Sequence, residues 1–144
     1  MRVLVQRSKA SSVSVDNKVV GSIEEGYVIF VGFTDTDTEQ IVDKMVKKVL
    51  NLRILDDSNG VMNESILNHK KDILSISQFT LYADSKKGNR PSYIKALSGD
   101  KAIKLYDYFN KELKKYVNVE TGIFGAEMEV KITNDGPVTI LLEV

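Results

Sequence analysis

The sequence predicts a single α/β domain, residues 1–144, built on a mixed β-sheet with two main helices. Three observations carry that expectation. Tyr27 to Phe33 is an unbroken apolar run of the kind found in strands covered on both faces. Two segments, at about 38–51 and 99–115, repeat apolar residues at helical spacing. Short β-rich pieces occupy both ends of the chain. The length of 144 residues corresponds to one domain of ordinary size.

Val3 to Gln6 and Ser12 to Val15 read as strands, and Asp16-Asn17 makes a tight turn into Val19-Val20. Gly26 opens the central run. Thr36-Asp37-Thr38-Glu39 supplies N-cap chemistry for a helix carried by Ile41, Val42, Met45, Val46, Val49 and Leu50. Asn59-Gly60 marks a turn. Ile73 to Phe79 is the next strand, with Ser77-Gln78-Phe79-Thr80-Leu81-Tyr82 leading off its end. The polar, basic stretch from Asp84 to Pro91 reads as an exposed loop. Ser98 is placed to cap the second helix, Gly99 to Lys115, whose stripe is Ala102, Tyr106, Phe109 and Leu113. Val117 to Glu120, Glu127 to Thr133 and Val138 to Val144 close the chain as strands. There is no repeat, linker or low-complexity tract.

Composition excludes several classes of function. Twenty Lys and Arg balance twenty Asp and Glu, which rules out a uniformly basic coat but leaves room for a local basic patch. With no cysteine there are no disulfides, thiolate nucleophiles or cysteine zinc sites. One histidine cannot build a multi-histidine metal centre, so no metal and no cofactor is expected. The apolar stretch near Tyr27 is far short of the ~20 residues of a membrane span, and the first residues lack a signal-peptide core. A cytoplasmic protein with no membrane partner is the expectation.

Four features carry candidate chemistry, each beside a plainer reading. Hydroxyl and amide groups in Ser77-Gln78-Phe79-Thr80 can orient a substrate and donate to a developing oxyanion, or simply satisfy backbone groups at a strand end. Asn134-Asp135-Gly136-Pro137-Val138-Thr139 is a turn between two strands or, if the Gly-Pro bond is cis, a rigid fence of backbone carbonyls. Lys86, Lys87 and Arg90 are a solvated loop or a phosphate grip. Phe124 packs the core or stacks on a base, and Met128 lines the same slot. His69 reads as exposed and incidental, and Asp56-Asp57 lies in a turn without calcium-loop spacing. Side-chain general-base catalysis is therefore weak here, and any chemistry leans on backbone groups, hydroxyls or the substrate.

Ser77-Gln78-Phe79-Thr80-Leu81-Tyr82 and Asn134-Asp135-Gly136-Pro137-Val138-Thr139 resemble the two signature motifs of the D-aminoacyl-tRNA deacylases. Residues 1–7, Asn51 to Ile54, Lys87 to Tyr93 and Thr121 to Met128 are similar too, so the resemblance runs from Met1 to Val144. It implies a layered α/β domain with a rolled mixed β-sheet, and a homodimer with active sites at the subunit interface. Ser77, Gln78, Phe79 and Thr80 would line the pocket of one subunit. Gly136 and Pro137, joined by a cis bond, would enter from the other, with Asn134 beside them and Arg7 bracing the loop. Phe124 and Met128 match positions around the terminal adenosine of tRNA, and Lys86, Lys87 and Arg90 would meet its phosphates. Tyr93 stands where phenylalanine is common, away from both motifs.

The implied reaction is hydrolysis of the ester between a D-amino acid and the 3′ end of tRNA. Backbone N–H groups near Phe79 and Thr80 are the expected oxyanion donors. Thr80 is an alternative nucleophile without a visible activating base, and assistance from the ribose 2′-hydroxyl is the favoured route. L-substrates would be rejected sterically by the Gly136 and Pro137 carbonyls, glycine only imperfectly. A non-catalytic nucleic-acid-binding module is the competing class. Relatives with that association carry a C-terminal extension, whereas this sequence stops at Val144. A related deacylase acting on L-amino acids is a second alternative.

Overall fold

The computed structural model describes residues 1–144. The strands are β1 (Arg2–Ser8), β2 (Ser11–Val15), β3 (Lys18–Ile23), β4 (Gly26–Gly32), β5 (Leu55–Asp56), β6 (Met62–Glu64), β7 (Asp72–Ser77), β8 (Val119–Thr121), β9 (Glu129–Lys131) and β10 (Asn134–Glu143). The helices are α1 (Glu39–Leu50) and α2 (Gly99–Leu113), with short 3₁₀ turns at Ile66–Asn68 and Phe79–Tyr82. Five strands form a mixed sheet in the order β10-β1-β4-β7-β8, in which β4, β7 and β8 pair in parallel and β1 runs antiparallel to both its neighbours, β4 and β10. A separate antiparallel sheet, β3-β2-β9, covers part of one face.

The central strand explains the layering. Tyr27, Ile29 and Val31 point into a core shared with Val42, Met45 and Val49 of α1 and with Phe109 and Leu113 of α2. Val28 points the other way, into a smaller core with Val13, Ile23, Leu74 and Ile76 beneath the three-stranded sheet. Because successive strand residues face opposite sides, both alternations must be apolar, and the run Tyr27 to Val31 is the result. Tyr27 is fully buried, and its hydroxyl donates to the Leu52 carbonyl at 3.2 Å.

The α/β class, the mixed sheet and the two main helices stand as expected, beside the smaller sheet β3-β2-β9 and a hairpin, β5-β6, that brackets the Asn59-Gly60 turn. Several finer expectations are corrected. The strand placed at Ile73 to Phe79 ends at Ser77. The Gln78 N–H still donates to the Val31 carbonyl at 2.7 Å, after which the chain coils into the 3₁₀ turn. Gly32 permits this: a Cβ there would lie 2.9 Å from the Gln78 carbonyl oxygen. Thr38 and Ser98 occupy N-cap positions, yet neither side chain makes a capping bond. At Ser98 the backbone carbonyl accepts from the Lys101 and Ala102 amides instead. The final strand starts at Asn134, so Gly136-Pro137 lies within a strand and not in a turn between two. His69 is half-buried, with Nε2 2.6 Å from a Glu64 carboxylate oxygen. No helix is long and apolar enough to cross a membrane.

Three buried phenols tie the fold to pH. Burial raises the pKa of Tyr27 and Tyr106, and pushes Tyr82 up to about 12 from its ordinary 10.0. A raised phenol pKa favours the folded state below pH 10, and that preference is lost as pH climbs toward 12. Urea stability should therefore decline between pH 10 and 12, with phenolate absorbance from these three tyrosines appearing together with unfolding. Titration of all six tyrosines near pH 10 with the fold intact would contradict this.

Candidate active site

The parallel strands β4 and β7 end side by side at Gly32 and Ser77, and ligand sites of α/β sheets commonly lie beyond such carboxyl ends. Here the space beyond them is a cavity of about 580 Å³. Ser77, Gln78 and Phe79 form one wall, and Tyr93, Ala96 and Leu97 another. Phe124, Ala126 and Met128 form a third. Phe79 is half in solvent and stands edge-on to Tyr93, with ring centroids 5.1 Å apart. The lining side chains include no carboxylate, imidazole or amine.

The polar equipment is therefore backbone, hydroxyl and amide. The first N–H groups of a helical turn have no partner within it. The N–H groups of Phe79, which lines the cavity, and of Thr80, which follows it and does not, are in that position, and no loop or turn hydrogen bond supplies them with an acceptor. The Ser77 hydroxyl beside them is half-buried and free. The Gln78 side-chain amide donates to the Thr80 hydroxyl at 2.5 Å and fixes it. The turn itself is held from outside: Arg2 Nη1 donates to the Leu81 carbonyl at 2.8 Å, and the guanidinium lies 4.6 Å from the centre of the Tyr82 ring.

The second motif is built by a register shift. Gln6 pairs with Thr139 and Ser8 with Asn134, so the four residues 135–138 bulge out opposite Arg7 alone. Arg7 fastens the bulge. Its Nε donates to the Asp135 carbonyl at 3.1 Å, and its Nη1 donates to the Ile54 carbonyl at 3.0 Å and the Asp56 carboxylate at 3.1 Å. Asn134 closes the base, accepting from the Val138 N–H at 3.0 Å and donating to the Thr139 hydroxyl at 2.9 Å. At the tip, Gly136 has φ +129°, and a Cβ would lie 2.9 Å from Val138 Cγ2. The Gly136-Pro137 peptide is cis, and both residues are exposed.

Within one chain the two motifs do not meet. The bulge faces Arg7 at one end of β1, whereas the cavity adjoins Gly32, which pairs with Arg2 at the other end. Five residues of strand separate them by about 17 Å. Of the basic residues, Lys86, Lys87 and Arg90 extend into solvent from a loop pinned at its base by paired Asp84 and Ser92 backbone bonds. Hydrogen bonds from the Lys86 N–H and from Lys95 hold the Asp84 carboxyl below its ordinary range. Sequence reasoning overlooked Arg2, Asp56 and Tyr93 as parts of the site. Asp56 reads as a mere turn residue until the β5-β6 hairpin brings it beneath Arg7.

The chain matches the D-Tyr-tRNA(Tyr) deacylase family over residues 4–143. It is 53% identical over 144 residues to a D-aminoacyl-tRNA deacylase of Bacillus cytotoxicus and 51% identical to one of Bacillus mycoides, each match covering 99% of both chains. Among solved structures it resembles a c-Myc DNA Unwinding Element Binding Protein, with a TM-score of 0.95 and 37% identity over 100% of this chain and 99% of that one. A probable eukaryotic D-amino acid tRNA deacylase shares the fold, with a TM-score of 0.86 at 20% identity, over 99% of this chain and 98% of that one. With this identity along its whole length, the chain belongs to the D-Tyr-tRNA(Tyr) deacylase family of hydrolases.

Proposed function

We propose that the protein works in the cytoplasm as a homodimer that hydrolyses the ester linking a D-amino acid to the 3′-terminal ribose of tRNA, releasing both. One observation carries the dimeric part of this reading. The exposed Gly136-Pro137 tip and the cavity lie at opposite ends of the same strands. A two-fold axis running across those strands would set the tip of one subunit over the cavity of the other. The face available for such pairing carries an apolar row, Leu141, Leu4 and Phe30 across β10, β1 and β4, between the polar pairs Arg2-Glu143 and Gln6-Thr139, with Leu141 51% exposed.

The chemistry follows from what lines the cavity. An ester is already activated, so a positioned water and oxyanion donors suffice without a strong base. The Phe79 and Thr80 N–H groups, with the Ser77 hydroxyl, would receive the negative charge that develops on the carbonyl oxygen. Gln78 holds Thr80 in place, and nothing in the cavity can deprotonate it. The ribose 2′-hydroxyl of the substrate is the remaining group able to assist the water. Phe124 and Met128 would hold the terminal adenine, and Lys86, Lys87 and Arg90 the phosphates. No cofactor is invoked.

Selection would be steric. The Gly136 and Pro137 carbonyls, kept in place by Arg7 and Asn134, would crowd the Cα of the substrate, so that an L side chain collides and a D side chain points outward. Non-catalytic nucleic-acid binding is a second reading, favoured by the likeness to the 37%-identical c-Myc DNA Unwinding Element Binding Protein. Turnover separates the two.

With purified protein, D-tyrosyl-tRNA should be hydrolysed fast, glycyl-tRNA slowly and L-tyrosyl-tRNA not at all. Tight tRNA or DNA binding with no hydrolysis of any ester would favour the second reading. Thr80→Ala should keep substantial turnover, and a trapped acyl-Thr80 species in the wild type would sink the substrate-assisted route. Arg7→Ala should lower kcat/KM on D-tyrosyl-tRNA by about 10- to 100-fold, because the tip it fastens would move by an ångström or more. Chiral selectivity preserved in that variant would count against the fence.

A further inference from the structure

We propose that a polar groove behind Phe124, lined by Asp107, Asn110, Lys111, Lys114 and Thr121, holds the nucleotide preceding the terminal adenosine of the acceptor end together with its phosphates. The inference rests on the deacylase reading above and adds to it a second nucleotide site.

Phe124 is a wall with two sides. One side faces the main cavity, and the other faces a second hollow of about 310 Å³. Its ring leans on Tyr106, with centroids 5.7 Å apart, which fixes the partition between them. The two hollows differ in chemistry. The main cavity has no lining cation, whereas the second presents Lys111 and Lys114. These come from one face of α2 and its C-cap, where positions 107, 110, 111 and 114 line up at helical spacing. Lys115, on the neighbouring flank, is neutralised by Glu112 at 2.5 Å, but Lys111 and Lys114 form no ion pair and are exposed. Two unpaired ammonium groups at a hollow next to the site are a match for phosphate oxygens.

The groove also carries groups suited to a base or a ribose. The Asp107 carboxylate and the Thr121 hydroxyl line it, and both can accept from an exocyclic amine or a 2′-hydroxyl. Asn110 is 6% exposed, and its side-chain oxygen has no hydrogen-bond partner. A chain whose last base lies against one side of Phe124 would have its 5′-phosphate and preceding nucleotide continue around the ring into this groove. Single-stranded acceptor ends are read in this way, by an aromatic platform with a cationic track beside it.

The test compares two substrates with one variant. Wild type and Lys111→Glu/Lys114→Glu are assayed on D-tyrosyl-tRNA and on the 3′-O-D-tyrosyl ester of adenosine, which lacks the preceding nucleotide and its phosphates. Both positions are exposed, so the fold should tolerate the exchange. The expected result is a fall of about 10-fold in the ratio of kcat/KM on the tRNA to that on the adenosine ester, carried by KM. The slope of log(1/KM) for the tRNA against log salt should flatten by about 1.4, the contribution of two phosphates in a single strand. An unchanged ratio, or an unchanged salt slope, overturns the groove. A wild-type protein that hydrolyses neither ester overturns the deacylase reading itself, and the groove proposal with it.

Discussion

Burial of β4 on both faces is the constraint on which the rest of the molecule depends. Tyr27, Ile29 and Val31 need an apolar layer on one side and Val28 needs one on the other. Only a three-layer arrangement, helices over a mixed sheet over a second small sheet, supplies both. Once β4 is central, β1 and β7 flank it and its carboxyl end opens beside that of β7. The cavity is where those two strands run out of partners. The 3₁₀ turn that follows Ser77 can approach this end because Gly32 has no side chain.

The cavity gains its chemistry from geometry more than from reactive side chains. A hydrolase for a stable bond would need a strong base or nucleophile. An aminoacyl ester needs chiefly orientation and somewhere for negative charge to go. On the proposed reading, free N–H groups at the start of a rigid turn would meet that need, and they would require rigidity around them. Arg2 supplies it for Phe79–Tyr82 and Arg7 for the bulge at residues 135–138. Both arginines lie on β1, near its two ends, so one strand would align the two halves of the proposed site.

Much of this was legible from the residues. The central run, both amphipathic helices and the basic loop stand in the sequence as periodicity and composition, and both motifs stand there as strings. Less legible were the features made by pairing. The bulge opposite Arg7 exists because Gln6 and Ser8 choose Thr139 and Asn134 as partners, and no local pattern announces that register. Asp56 looks like half of an acidic turn until β5 and β6 pair and carry it to Arg7. The sequence extends β7 to Phe79 because Phe79 suits a strand by propensity, while the close approach of Gly32 lets the chain coil from Gln78 onward instead.

The sequence by itself determined which segments bury which faces, because burial follows apolar period and period is local. It also determined that no thiolate chemistry and no multi-histidine centre was available, because the residues are missing. Only the tertiary structure decided how the two motifs stand to each other. They lie at opposite ends of one sheet, a separation fixed by the antiparallel pairing of β1 with β4 and β10, which is a long-range choice between strands that no single stretch of chain encodes.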